Sequence, residues 1–441
     1  MPSKKPLVVF FASFTFILGS LTITTPVLAA STEKLLHKFC SAKNCADGVG
    51  PSAGLIFGNA GTLYGTTSRG GTGSGCNGGS GCGTVFELIR NTDKWTEKVL
   101  YSFCSASGCP DGWFPLAGLV SDSTGNLYGT TFYGGNEGTQ CAPTGCGTVF
   151  ELVANNGKWT EKVLHTFCST SSCPSGGGPG GGVIFDASGN LYGTAQYGGL
   201  YGFGTVFELS PSNGGWTEKV IHNFNNNGKD GFYPHGGLTL DSAGNLYGTT
   251  AQGGANACGG VDNCGTVFEL IHSNGGWTEK VLYNFEGNGK DGYFPAGGVT
   301  LDATGNVYGA TESGGADSLG CGGFGCGTVF VLTHNNGRWA EEVLYSFTDT
   351  PDGSFPWQPI LDEAGNIYGT TNSGGLDGVG TVFEIVHDNG RWIEKTLHSF
   401  GNRSDGRLPL ATVVRDKAGN LYGTTGGGGG HHSGTVFKVT P

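Results

Sequence analysis

Ten histidines offer acid–base chemistry in this chain, and their spacing sorts them. His37, His165, His222 and His398 share one place in a repeated phrase, where other copies carry Tyr. His272, His334 and His387 sit before a turn that leads into Trp in several copies. Catalysis needs one site rather than one per repeat, so both groups read as structural. His235, His431 and His432 have no counterparts in other copies, which makes them the acid–base candidates. No G-x-S-x-G, H-E-x-x-H or phosphate loop accompanies them, and no partner residue is evident. The reading therefore leans away from an enzyme.

The aromatics form a second candidate set. Trp113 and Phe114, Phe232 and Tyr233, Tyr293 and Phe294, and Phe355 precede a proline of the repeat, and Trp357 follows one. They would stack on a glycan or an extended peptide. For the residue directly before Pro, packing between repeats is the favoured reading. Trp113 and Trp357 are unmatched in the other copies and are assigned to a ligand. Asp47, Asp111, Asp230, Asp291, Asp352 and Asp405 recur in an Asp-Gly step, with Ser175 in the remaining copy. A ring of carboxylates could bind Ca²⁺, but no D-x-D-x-D run accompanies any of them, and turn capping is the better reading. No metal or cofactor is expected.

These residues are placed by a repeat. LYGTT or a close variant begins at Leu63, Leu127, Leu191, Leu246, Val307, Ile367 and Leu421, and GTVF begins at Gly83, Gly147, Gly204, Gly265, Gly327, Gly380 and Gly434. W-x-E-K-V-L begins at Trp95, Trp159, Trp216, Trp277, Trp339 and Trp392, and its remaining copy is Thr32–His37 at the front. Each repeat supplies four strand-like runs, A to D. The A–B and C–D turns are short, as in D-x-x-G-N and N-N-G-K-W, whereas the B–C and D–A loops are long. The expected fold is all-β: a seven-bladed β-propeller with four antiparallel strands per blade. The N-terminal run, as strand D, completes the last blade and closes the ring. In the fifth copy the usual Glu of strand C is Val331 and the usual Lys of strand D is Glu342, as expected for cross-strand neighbours. All long loops share one face, and the D–A loops border the central channel.

The chain has 441 residues, of which 86 are Gly and only 13% are charged. Residues 1–30 read as a secretory signal peptide: Lys4 and Lys5, an apolar run, then small residues around Ala29 and Ala30. Residues 31–441 read as one propeller domain. Losing two Lys and no acid makes the formal net charge of −12 more negative still, which argues against nucleic acid or an anionic membrane as partner. Fourteen Cys fall into seven short couples: Cys40/Cys45, Cys76/Cys82, Cys104/Cys109, Cys141/Cys146, Cys168/Cys173, Cys258/Cys264 and Cys321/Cys326. Their even number on an exported chain reads as disulfides whose job is to hold loops in shape. Zinc is the competing reading, disfavoured by the spacing.

The combination LYGTT…GTVFEL…W-x-EKVLY resembles the Gloeobacter/Verrucomicrobia-type tandem repeat of exported bacterial proteins. The D-x-x-G-N-L-Y segment is more loosely similar to NHL-type and streptogramin-lyase-type propellers. The first resemblance implies an extracellular location and no established activity. The second transfers no catalytic residue. The leading expectation is a secreted, monomeric propeller that binds a glycan or protein ligand on its long-loop face. Alternatives are a polysaccharide- or lactone-directed lyase or hydrolase and a purely structural envelope protein.

Overall fold

Seven antiparallel blade sheets repeat along the chain, four strands to a blade, with a short extra strand, Ser354–Pro356, joining the sixth; the strands are bounded by the glycines and asparagines of the repeat. This computed structural model describes residues 31–441, except 77–80, 93, 136–140, 142, 171, 257, 259–263, 274, 296, 317–320 and 402–404. The expected signal peptide, residues 1–30, lies outside the described residues. Blade 2 shows the pattern: strand A is Val120–Ser121, B is Leu127–Thr131, C is Thr148–Asn155 and D is Lys158–Thr166. The protein is an all-β, seven-bladed propeller. In blade 7, strand C is Thr435–Thr440, and it pairs antiparallel with the N-terminal strand Thr32–Lys38.

Turn chemistry sets the A–B hairpins. The Asp122 carboxylate accepts from the Thr124 and Asn126 amides and from the Asn126 side chain, all at 2.9 Å. The same Asp–Asn turn recurs at Asp186, Asp241, Asp302, Asp362 and Asp416. Strands C and D pair in the expected register: Glu151 faces Lys162, and in blade 5 Val331 faces Glu342. The two departures from the repeat are therefore direct cross-strand neighbours, which explains why they changed together.

Blades adhere through one repeated contact. The Phe ending strand D of each blade packs against the GTVF Phe of the next, and all seven pairs have ring centroids 5.0–5.3 Å apart. The series includes Phe400–Phe437 and Phe39–Phe86, so it runs from blade 6 through the N-terminal strand to blade 1. The middle Gly of LYGTT makes room for this ring, since a Cβ on Gly129 would lie 2.7 Å from Phe150. A hydroxyl repeats the connection nearer the centre. Thr66, Thr130, Thr194, Thr249, Thr370 and Thr424 each donate to a carbonyl of the following blade, and Thr424 reaches Ala53 of the first. Blade 5 has Ala310 at this place.

All seven cysteine couples form disulfides. Cys40–Cys45, Cys104–Cys109 and Cys168–Cys173 lie in D–A loops. Cys76–Cys82, Cys141–Cys146, Cys258–Cys264 and Cys321–Cys326 lie in B–C loops. Cys45 and Cys173 also connect their loop to a second one. Cys45 ends a short helical turn, Lys43–Cys45, and Cys173 is buried in the hydrophobic core between blades. Both take left-handed backbone, with φ of 54° and 48°. Each carbonyl then accepts two amides, one from its own D–A loop and one from the B–C loop. The Cys45 carbonyl accepts from Gly48 and Gly71, both at 3.0 Å, and that of Cys173 from Gly176 at 3.2 Å and Gly199 at 3.0 Å. These two cysteines thus tie the two long loops of a blade together. The physical reason is main-chain geometry, which cysteine spacing does not reveal. Among the described residues no helix is long and apolar enough to cross a membrane.

Candidate functional site

The residue before the loop proline is left-handed in every blade: Gly50, Phe114, Gly178, Tyr233, Phe294, Phe355 and Leu408 all have φ between 56° and 63°. Non-glycine residues enter this region at a cost, and a following proline disfavours helical backbone further. A neighbouring loop holds each one. Phe114, Phe294 and Phe355 donate their amides to the carbonyls of Cys82, Cys264 and Cys326 at 2.9–3.0 Å. Those acceptors are the second cysteines of B–C disulfides, so the bridges anchor the strained residue.

After the proline come three residues of channel wall, mostly Gly and Ala, as in Leu116-Ala117-Gly118 and His235-Gly236-Gly237. The segments touch backbone to backbone: a Cβ on Gly236 would lie 2.5 Å from Gly297. Together they enclose a cavity of about 620 Å³ at the mouth of the central channel. Most of the larger side chains that reach it break the sevenfold pattern; Phe114 belongs to the repeated pre-proline position. Arg69, Phe114, His235, Trp357, Gln358 and His432 line it, and no Asp or Glu does among the described residues.

His235 and Trp357 thus share one cavity, with His432 beside them. Burial holds the His235 imidazole below its usual pKa, so it is neutral near pH 7. No carboxylate hydrogen-bonds to its ring among the described residues. Gln358 is fixed by donating Nε2 to the Val299 carbonyl at 3.0 Å. His431 is exposed, and only its carbonyl, accepting from the Ser433 hydroxyl, has a described partner.

Trp113 lies elsewhere. It sits one residue before the left-handed position, stacks on Tyr133 at 4.6 Å and donates Nε1 to the Thr144 carbonyl at 3.2 Å. Its recess of about 230 Å³ also involves Cys76, Cys109 and Pro143. Phe232 is buried in the core. Tyr293 packs in the neighbouring core and donates its hydroxyl to the Phe324 carbonyl at 2.9 Å. Tyr233, Phe294 and Phe355 are half-buried at the left-handed position. Sequence reasoning missed Arg69 and Gln358. The available signal was their departure from the repeat, at the start of a B–C loop and in a wall segment.

The recurring Asp caps its loop, as expected. Asp47 accepts from the amides of Ser41 and Ala42, and Asp352 accepts from that of Thr348. The same carboxylates meet the His or Tyr of strand D: Tyr101–Asp111 at 2.7 Å, Tyr345–Asp352 at 2.8 Å, His222–Asp230 at 3.3 Å and His398–Asp405 at 3.2 Å. The two repeated groups that the sequence presents separately are partners. In blade 3 the Asp is Ser175, and burial pushes His165 down to about 4. Ser175→Asp is expected to raise the His165 pKa by about 1–3 units, read by NMR titration; an unmoved titration would refute this pairing.

Two overlapping stretches, residues 140–322 and 257–441, match the Gloeobacter/Verrucomicrobia repeat and together cover more than half of the chain. The chain belongs to this repeat family. No curated protein matches it. Among solved structures, this repeat protein is similar to the extracellular domain of a candidate one-component system from B. thetaiotaomicron, at 9% identity and a TM-score of 0.51, covering 92% of this chain and 39% of that one. It is also similar to a gluconolactonase from Xanthomonas campestris (14% identity, TM-score 0.42, 79% and 96% covered). A candidate 6-phosphogluconolactonase from Bacteroides uniformis matches at 12% identity and a TM-score of 0.49, with 82% and 87% covered. At these identities the likeness concerns the fold alone.

Proposed function

We propose that this protein is an exported binding propeller that holds a glycan in the cavity at its channel mouth. The observation that carries this is the convergence there of side chains found nowhere else in the repeat, Arg69, His235, Trp357, Gln358 and His432. A cavity of about 620 Å³ suits a ligand of sugar size. Trp357 offers an aromatic face, Arg69 and the imidazoles offer hydrogen bonds, and the lack of lining carboxylates suits a neutral or singly anionic sugar. A general base needs a group that orients it, and His235 has none among the described residues, so binding is preferred to catalysis. Seven disulfides support export to an oxidising compartment.

A glycan array followed by calorimetry tests this. Trp357→Ala and Arg69→Ala are each expected to weaken binding about tenfold, the scale of one well-placed aromatic or charged contact. Binding indifferent to both substitutions, or capture of protein ligands alone, would sink the reading. Turnover of a bound lactone or polysaccharide that is lost in His235→Ala would replace it with an enzymatic one.

A further inference from the structure

A continuous arc of aromatic rings leaves the cavity and crosses one sector of the long-loop face. It starts at Arg69, whose guanidinium lies 5.7 Å from the Phe114 ring centre, both residues lining the cavity. Phe114 meets Tyr133 at 5.7 Å, and Trp113 flanks Tyr133 at 4.6 Å. Buried Phe132 bridges Tyr133 at 4.8 Å to Tyr197 at 6.2 Å, and Tyr197 meets Tyr233 at 6.0 Å. Tyr197 is 46% exposed, and Leu200 and Tyr201 stand beyond it at 72% and 50%.

Two observations separate this arc from core packing. The first is asymmetry. Tyr133 and Tyr197 occupy a B–C loop position that carries Gln252, Ser313, Ser373 and Gly427 in the later blades, so the aromatic track covers one side of the ring only. The second is hydrogen bonding. The strand B tyrosines of blades 2–7 bond their hydroxyls to an Asp or Glu, as Tyr128 does to Glu151 at 2.8 Å. The hydroxyls of Tyr133, Tyr197, Tyr201 and Tyr233 have no protein partner among the described residues. Partly exposed rings with unengaged hydroxyls suit the alternating apolar faces and hydroxyls of sugars. The formal net charge of −12, with Arg69 the one Lys or Arg lining the cavity among the described residues, disfavours a polyanion.

We infer that a linear, neutral oligosaccharide lies along the arc from Tyr197 and Tyr233 past Tyr133 to Phe114, with its terminal sugar in the cavity at Arg69 and Trp357. This rests on the glycan reading of the cavity and extends it from one sugar to a chain.

The test is a set of ladders, from monosaccharide to hexasaccharide, of β-linked glucose, mannose and N-acetylglucosamine, titrated against the full chain. Affinity for one ladder is expected to rise at least about tenfold with length. The double variant Tyr133→Ala/Tyr197→Ala should abolish that rise and leave monosaccharide affinity unchanged. Tyr197→Leu, which keeps bulk at an exposed position, should lose part of the rise without unfolding. Monosaccharide binding that needs Trp357 but does not grow with length overturns the arc and leaves the cavity reading standing. Absence of binding by all three ladders, or an arc-dependent peptide ligand, overturns the assignment to neutral oligosaccharides; the array ligand and Trp357→Ala then decide the cavity separately.

Discussion

Acidification from pH 8 to pH 5 is expected to raise the melting temperature by about 5 °C. The cause is a belt of glutamates on the strand D edges. Burial pushes Glu97, Glu161, Glu279 and Glu394 up to about 7 and Glu341 up to about 8, and a neighbouring Asp adds to each rise. The unfolded value is near 4.5. A raised acid contributes stability that is full below that value and is lost as pH climbs through the folded one. Because these groups are only partly buried, about 1 kcal/mol each is a fair discounted size. Five of them give about 5 kcal/mol, or about 5 °C for a chain of this length. Burial holds His37, His165 and His235 low, and they act in the opposite sense: their contribution fades as pH falls below 6.5, capping the gain near pH 5. Oε1 of Glu161 and Oδ1 of Asp111 are both buried without a hydrogen-bond partner among the described residues. Glutamine keeps a donor for such an oxygen at every pH, so replacing the five glutamates with Gln should flatten the melting profile between pH 5 and 8. A quintuple variant with an unaltered profile would remove the belt as its cause.

Loss of the N-terminal strand should be the most damaging local change. Leu36 and Phe39 are 9% and 1% exposed, and Phe39 packs on Phe86 of blade 1. Phe39→Ala is expected to cost about 3–5 kcal/mol through lost burial and the cavity left behind. Its internal counterpart Phe103→Ala should cost a similar amount, since Phe103 is also buried against its partner Phe150 at 5.0 Å. The two should differ in hydrogen exchange. Phe39→Ala should release Thr435–Thr440 amides selectively, because Thr32–Lys38 is their outer partner. Deleting residues 32–39 should abolish cooperative melting. A deletion that still melts like the wild type would show that blades 7 and 1 hold without the strand.

The architecture was legible because it is local chemistry repeated. Asp–Asn turns, the glycine under each GTVF phenylalanine and the Glu–Lys register all act within one repeat. The site was legible only in part. Trp113 and Trp357 look alike as departures from the pattern, yet they flank a left-handed residue and a proline, and that kink sends one to an outer recess and the other into the channel. The capping role of the repeated Asp was readable from its Asp-Gly context. Its meeting with Tyr101 or His222 was not, because only the folded D–A loop brings them together. The cysteine pairing was readable from spacing, whereas the second task of Cys45 and Cys173 was not, since a carbonyl can accept from Gly71 or Gly199 only once both loops are in place. Glu161 was further out of reach, since Asp111 lies 50 positions away in the chain.

A channel wall made largely of glycine and alanine separates the contacts that keep this protein folded from the side chains that line its cavity. The blades are held by phenylalanines and threonine hydroxyls set back from the lumen. The post-proline side chains of two blades, His235 and Trp357, line the cavity. The described post-proline positions then form a socket whose residue types differ from blade to blade. Such a scaffold can diversify its ligands by point substitution, and selection for new binding need not compete with selection for stability.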